Sequence, residues 1–220
     1  VLSGPAGIVL ALGGTLALGI WLRWALAGHA SIVGEFANLR HAHSHLGYFG
    51  VLFPLAWAAW GRAGAPTPDA RVGWVYAAAT ALAFVGFVRS VFGPGAMAGS
   101  TVVGAILLVS ARPLLARRRD LGDTLSVVPF GVAGALVCIP PIALNLRESP
   151  EVAQGFVATF LAILLLGVMV PSVMATVRGP STPWPLLGVT AAAGALALGA
   201  VPHPVSRGGL ILFCSILARF

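Results

Sequence analysis

Eight apolar stretches divide the chain, near residues 5–27, 40–60, 72–92, 96–115, 125–145, 152–176, 184–201 and 207–220. Crossing the hydrocarbon core of a bilayer takes about 20 apolar residues, a length that seven of them reach and the last approaches. Inside lipid every backbone N–H and C=O must find a partner within the protein, which leaves helices or a closed barrel. A barrel would alternate apolar with polar residues, whereas these runs are apolar all round, so helices are expected. Charge agrees: 9% of residues are charged, against about 25% in a soluble domain. The expectation is an all-α protein, a polytopic transmembrane bundle of about seven to eight antiparallel helices, forming a single transmembrane domain over residues 1–220. Val1 opens the chain and an apolar run closes it at Phe220, so a longer protein at one or both ends is expected. The first stretch is too long, and too tightly followed by others, to be only a signal peptide.

The connections are brief and carry turn residues: Gly61-Arg62-Ala63-Gly64-Ala65-Pro66, Gly93-Pro94-Gly95, Glu148-Ser149-Pro150 and Gly179-Pro180. Short loops imply neighbouring helices that run up and down. Small residues, such as Ala77-Ala78-Ala79 and Ala191-Ala192-Ala193-Gly194, allow close helix approach. Pro54, Pro129, Pro140-Pro141 and Pro171 lie inside segments and predict kinks with freed carbonyls for neighbours to satisfy. No internal repeat and no soluble domain stand out.

All thirteen basic residues are arginine, and they set the expected orientation. With the Arg112 and Arg117–Arg119 loop in the cytoplasm, Arg62, Arg71 and Arg178 also fall inside. Arg23, Arg40, Arg89, Arg147 and Arg207 then lie at or near the outer side, and Arg219 at the chain end. The triple-arginine loop carries most of this positive-inside signal. It is too short and too near a membrane segment to suggest nucleic acid, and anionic lipid headgroups are its expected partners. The same alternation places His29, His41, His43, His45 and His203 at the outer boundary.

Three of those five histidines fall in His41-Ala42-His43-Ser44-His45. On a helix His41 and His45 share a face, continued by Tyr48 and Leu52. His43 points elsewhere, above Gly47 and Gly50, where glycines leave room for a flat macrocycle or another backbone. Two arrangements are therefore open. His41 and His45 can clamp one metal ion with His29 or His203 as a third ligand. Alternatively, His43 or His45 can supply one axial bond to heme iron, with the second from a distant helix. The competing reading is that these imidazoles cap a helix and hydrogen-bond in the interfacial layer. Neutral imidazole is the ligating form, so binding weakens below about pH 6. Imidazole-only sets suit copper, zinc or iron.

Glu35 and Arg40 flank the triplet and can pair together, orient a ligating histidine or contact a heme propionate. Arg89 ends the third segment as the most lipid-embedded charge, either a functional group or one that snorkels to the headgroups. Asn145 and Arg147 close the fifth segment on the same side. Trp21, Trp24, Trp57, Trp60, Trp74 and Trp184 sit near segment ends and read as an interfacial belt. Cys138 and Cys214 read as small buried hydrophobes. No Cys-x-x-Cys, phosphate loop or nucleophile elbow is present, and all six acids lie in loops or at segment ends.

The run Arg40-His41-Ala42-His43-Ser44-His45-Leu46-Gly47-Tyr48-Phe49-Gly50 resembles membrane proteins of the NnrS type. In these a His-Ala-His-Glu block and a Gly/Phe-rich stretch open the second transmembrane helix. It is also similar to short relatives of the large subunit of heme–copper oxidases and nitric oxide reductases, where a His-Ala-His block begins an early helix. The resemblance covers roughly residues 5–90, including the Gly61-Arg62 turn. It implies a polytopic protein that binds heme, and copper as an alternative, in bacterial nitric oxide metabolism or respiration, with His41 and His43 at the matching positions. Ser44 stands where the family has glutamate, His45 is extra, and the later His-His pair of a heme–copper centre is missing.

These readings converge on a multi-pass protein of the bacterial inner membrane. It is expected to bind heme b or copper at its outer face through His41, His43 and His45, with Glu35, Arg40, Tyr48 and Arg89 around them. Its expected work is respiratory electron transfer or nitric oxide handling, with a redox partner or other membrane subunits alongside the lipid. Whether it is an enzyme is left open. The rival expectations are a cofactor-free accessory subunit of a larger membrane complex and, third, a transporter of a metal or small molecule.

Overall fold

A computed structural model describes residues 5–178 apart from 33, 66, 92 and 120–123. The described residues are mostly helical, with no strand among them: α1 (Pro5–Leu26), α2 (Phe36–Gly47), α3 (Phe53–Arg62), α4 (Ala70–Arg89), α5 (Pro94–Ala111), α6 (Val128–Val137), α7 (Ile139–Glu148), α8 (Pro150–Leu164) and α9 (Val170–Arg178). Two π-helical turns join helices end to end, Tyr48–Leu52 between α2 and α3 and Leu165–Met169 between α8 and α9. Short 3₁₀ turns cover Arg112–Arg119 and Thr124–Val127. By length and composition five stretches can cross a membrane: Ala6–Leu26, Ala70–Arg89, Pro94–Ala116, Leu125–Asn145 and Glu151–Thr176. They coincide with five expected segments, and the sixth, near 40–60, is the α2–π–α3 rod. The segments expected at 184–201 and 207–220, with Trp184, His203, Arg207 and Cys214, lie outside the described residues.

Helix ends follow local chemistry. Gly28, at φ 79°, closes α1. Its N–H donates to the Ala25 carbonyl and that of His29 to the Trp24 carbonyl, both at 3.0 Å. This is a Schellman stop, whose left-handed residue favours glycine. Asp69 caps α4, its carboxylate accepting the Val72 N–H at 2.8 Å. The expected 125–145 segment is broken at Cys138 into α6 and α7, because Pro140 and Pro141 cannot donate to the preceding turn.

The described residues gather into two compact units, one within residues 5–58 and 67–107, the other within residues 59–65 and 108–178. In the first, α2 packs on α1 and on α4. Gly19 of α1 meets His43, Gly14 meets Leu46, and Ala11 meets Gly50, so α1 and α2 are antiparallel. Where α4 faces α5, a methyl on Gly86 would strike the Ala96 backbone and one on Gly99 that of Ala83. Backbone approach of this kind is how helices associate in lipid, where apolar side chains gain little by leaving the tails. In the second unit α6 and α7 pack on α8, and Gly131 lies against the Gly167 backbone.

Two of the six tryptophans depart from the interfacial belt. Trp57 and Trp60 are 4% and 2% exposed. Trp57 stacks obliquely on Tyr76 at 4.5 Å between ring centroids. The Trp60 indole N–H donates to Ser172 Oγ at 2.8 Å in the second unit. Trp24 and Trp74 remain outside, at 62% and 57% exposed.

Candidate functional site

The histidine triplet occupies the last two turns of α2, and the helix divides it. His41 and His45 face α4; His43 faces α1. The Nδ1–H of His45 donates to the His41 carbonyl at 2.9 Å. A carbonyl only accepts, so Nδ1 holds the proton and the ring's lone pair resides on Nε2. Phe87 of α4 stacks on the His45 ring at 3.9 Å between centroids and 28° between planes, and Phe49 meets it edge-on at 5.2 Å. Phe87 also lies parallel to His41, at 6.3 Å and 19°. The His41 and His45 rings are 6.4 Å apart. Tautomer and orientation of His45 are thus set by one hydrogen bond and two aromatic contacts.

His43 has a different surrounding. A methyl on Gly19 would lie 2.8 Å from His43 Cε1, so the imidazole rests on the bare backbone of α1. Its buried Nδ1 has no hydrogen-bond partner. The neighbouring glycines are occupied in the same way, Gly47 by Thr15 and Gly50 by Ala11. Of the two uses the spacing allowed for that stripe, the structure takes the second backbone. A macrocycle on that face would have to displace α1, so the His43 face has no room for heme while α1 is packed there.

Around the pair, Arg40 is exposed on the first turns of α2, and Tyr48 is half-buried at the start of the π-turn. Glu35 is exposed just ahead of α2, and its side chain makes no capping bond. Arg89 is exposed at the last residue of α4. His29 is exposed in the loop after α1. Among the described residues no three His, Cys, Asp or Glu side chains gather into a ligand group, so His29 does not complete a set with His41 and His45. His203 lies outside them. Asn145 donates to the Pro141 carbonyl one turn back at 2.8 Å.

Two residues that sequence reasoning passed over hold the pair in place. Asn38, 7% exposed, sits one turn before His41 on the same stripe. Its Nδ2 donates to the Arg89 carbonyl and its Oδ1 accepts the Val91 N–H, each at 3.2 Å. The amide therefore closes the end of α4 and fixes the level at which Phe87 meets the histidines. The second is Tyr76, whose hydroxyl donates to the Phe49 carbonyl at 2.6 Å. Phe53 N–H reaches five residues back to the Tyr48 carbonyl; the next residue, Pro54, has no N–H for the Phe49 carbonyl. Tyr76 supplies that missing donor just beyond the histidine turns. An asparagine in a helix's first turn, on the face of a histidine pair, was the available signal for the first. Comparison of the chain with family models, characterised proteins and solved structures finds no match.

Proposed function

We propose that this multi-pass helical membrane protein holds a transition-metal centre, either copper through His41 and His45 or heme iron through one axial bond from His45. The supporting observation is the fixed state of His45: Nδ1–H is committed to the His41 carbonyl and the Nε2 lone pair is left for a ligand. Histidines that bind metals characteristically spend their second nitrogen this way. Bound there, heme iron or copper would supply one-electron chemistry. The chain's own residues hold the imidazole orientation through Phe87 and Phe49 and hold α2 to α4 through Asn38. The NnrS-like sequence around His41 supports reading this chemistry as part of bacterial respiration or nitric oxide metabolism. On this reading the protein has seven to eight helices in the inner membrane, with the histidines toward the outer side and a redox partner or membrane subunits beside it.

The test is an optical spectrum with elemental analysis of detergent-purified protein. A Soret band, or close to one copper per chain, is expected. His45→Ala is expected to abolish it, His41→Ala to shift or weaken it, and His43→Ala to leave the spectrum in place. Colourless, metal-free protein would overturn the proposal in favour of a cofactor-free accessory subunit.

A further inference from the structure

The two π-turns expose a repeat that does not stand out in the sequence by itself: each is followed by proline in the same register, as Gly50-Val51-x-x-Pro54 and Gly167-Val168-x-x-Pro171. Each π-turn glycine is pressed against an earlier helix of its own unit. A methyl on Gly50 would lie 2.7 Å from Ala11 Cβ of α1, and one on Gly131 of α6 would lie 2.5 Å from the Gly167 carbonyl oxygen. Ala11 and Gly131 fall within a second matched pair, Pro5-x-Gly7-Ile8-x-x-Ala11-Leu12 and Pro129-x-Gly131-Val132-x-x-Ala135-Leu136. Two more pairs follow in the same order. Ala77-Ala78-Ala79-x-Ala81-Leu82-Ala83 of α4 is matched by Ala191-Ala192-Ala193-x-Ala195-Leu196-Ala197. Gly104-x-Ile106-Leu107-x-x-Ser110 of α5 is matched by Gly209-x-Ile211-Leu212-x-x-Ser215. Tyr76, which closes the first π-turn, aligns with another hydroxyl residue, Thr190.

We infer that the chain is a tandem duplication of one four-helix membrane unit, whose imidazole-bearing face is kept in the first copy alone. Composition alone does not produce this: a π-turn needs its own hydrogen-bond register, is rare, and recurs at functional or strained places. Here two of them share the glycine and the proline and lean on matched segments, the contact falling one turn apart, at Ala11 in the first and at Gly131, the counterpart of Gly7, in the second. Aligned on the π-turns, His41, His43 and His45 correspond to Ala158, Phe160 and Ala162 of α8, so the second copy has lost every ligand. Matched Gly/Pro-interrupted segments in two halves are the usual mark of such internal repeats in membrane proteins. The duplication stands without the metal reading; the assignment of the ligand face to the first copy rests on it.

Two experiments on the full-length chain test the inference. An experimental structure of the detergent-purified protein is expected to show Ala191–Ala197 on a helix packed against the α8–π–α9 rod as α4 packs against the α2–π–α3 rod. A different packing order there overturns the duplication. Ala158→His with Ala162→His, titrated with Cu(II), is expected to raise copper from one to two equivalents per chain. A well-folded double variant that still takes one overturns the equivalence of the two faces. Wild-type protein that takes no copper and shows no Soret band overturns the metal reading instead, and the structure still decides the duplication.

Discussion

At the residue scale, Asn38 does work for α4 that α4 cannot do for itself. The final carbonyls of a helix and the N–H groups beyond it lack intrahelical partners, and a buried polar group without one is costly. Asn38 answers one carbonyl and one N–H at once. Asn38→Leu keeps the volume and removes both bonds. It is expected to lower stability in detergent by about 1 kcal/mol, the typical worth of a hydrogen bond whose groups can turn to water. The loss should appear in thermal melts, together with faster hydrogen exchange at Val91. Helical periodicity was enough to read His41 and His45 as a pair. Asn38 was not legible, because its partners are backbone atoms 51 and 53 residues away. The two buried tryptophans were misread for a related reason. Trp60 ends a helix as a belt residue would, yet its hydrogen-bond partner lies 112 residues further on.

At the scale of the element, each internal proline was legible as a disturbance, but its kind depended on neighbours. Pro140 and Pro141 break a segment in two, whereas Pro54 and Pro171 each follow an unbroken rod that gains one residue per turn. A wider turn lets the rod continue past a missing N–H, provided the stranded carbonyl finds another donor. In the first rod Tyr76 is that donor. Tyr76→Phe is expected to cost about 1–2 kcal/mol, since the Phe49 carbonyl is then buried without a partner. Pro54→Ala returns an N–H to the rod. In that background the Tyr76→Phe penalty should shrink to a fraction, and the coupling is read from a double-mutant cycle of melting free energies. Equal penalties in both backgrounds would separate the tyrosine from the proline.

For the molecule as a whole, apolar length alone located six helical segments, and the described part of the chain has helices at all six. The first unit also fixes which ends lie together: the Asn38 bonds bring the start of α2 to the end of α4, and α1 ends beside them. A cysteine at Ser31 or at Ser90 should therefore react with an impermeant maleimide from one side of the membrane, and one at Thr67 from the other. Reaction of Ser31→Cys and Ser90→Cys from opposite sides would overturn this topology. What length and periodicity could not reveal was how α1 approaches α2, because a bare glycine surface becomes informative only when its opposite number is known. Gly19 and His43 make one such pair, a large ring seated where a side chain is missing. Gly19→Leu is expected to destabilise the protein by about 1–3 kcal/mol through overpacking, and His43→Ala in the same chain to recover much of it by vacating the space. The two positions share a single allotment of volume, so among descendants of this sequence they are free to vary only in concert.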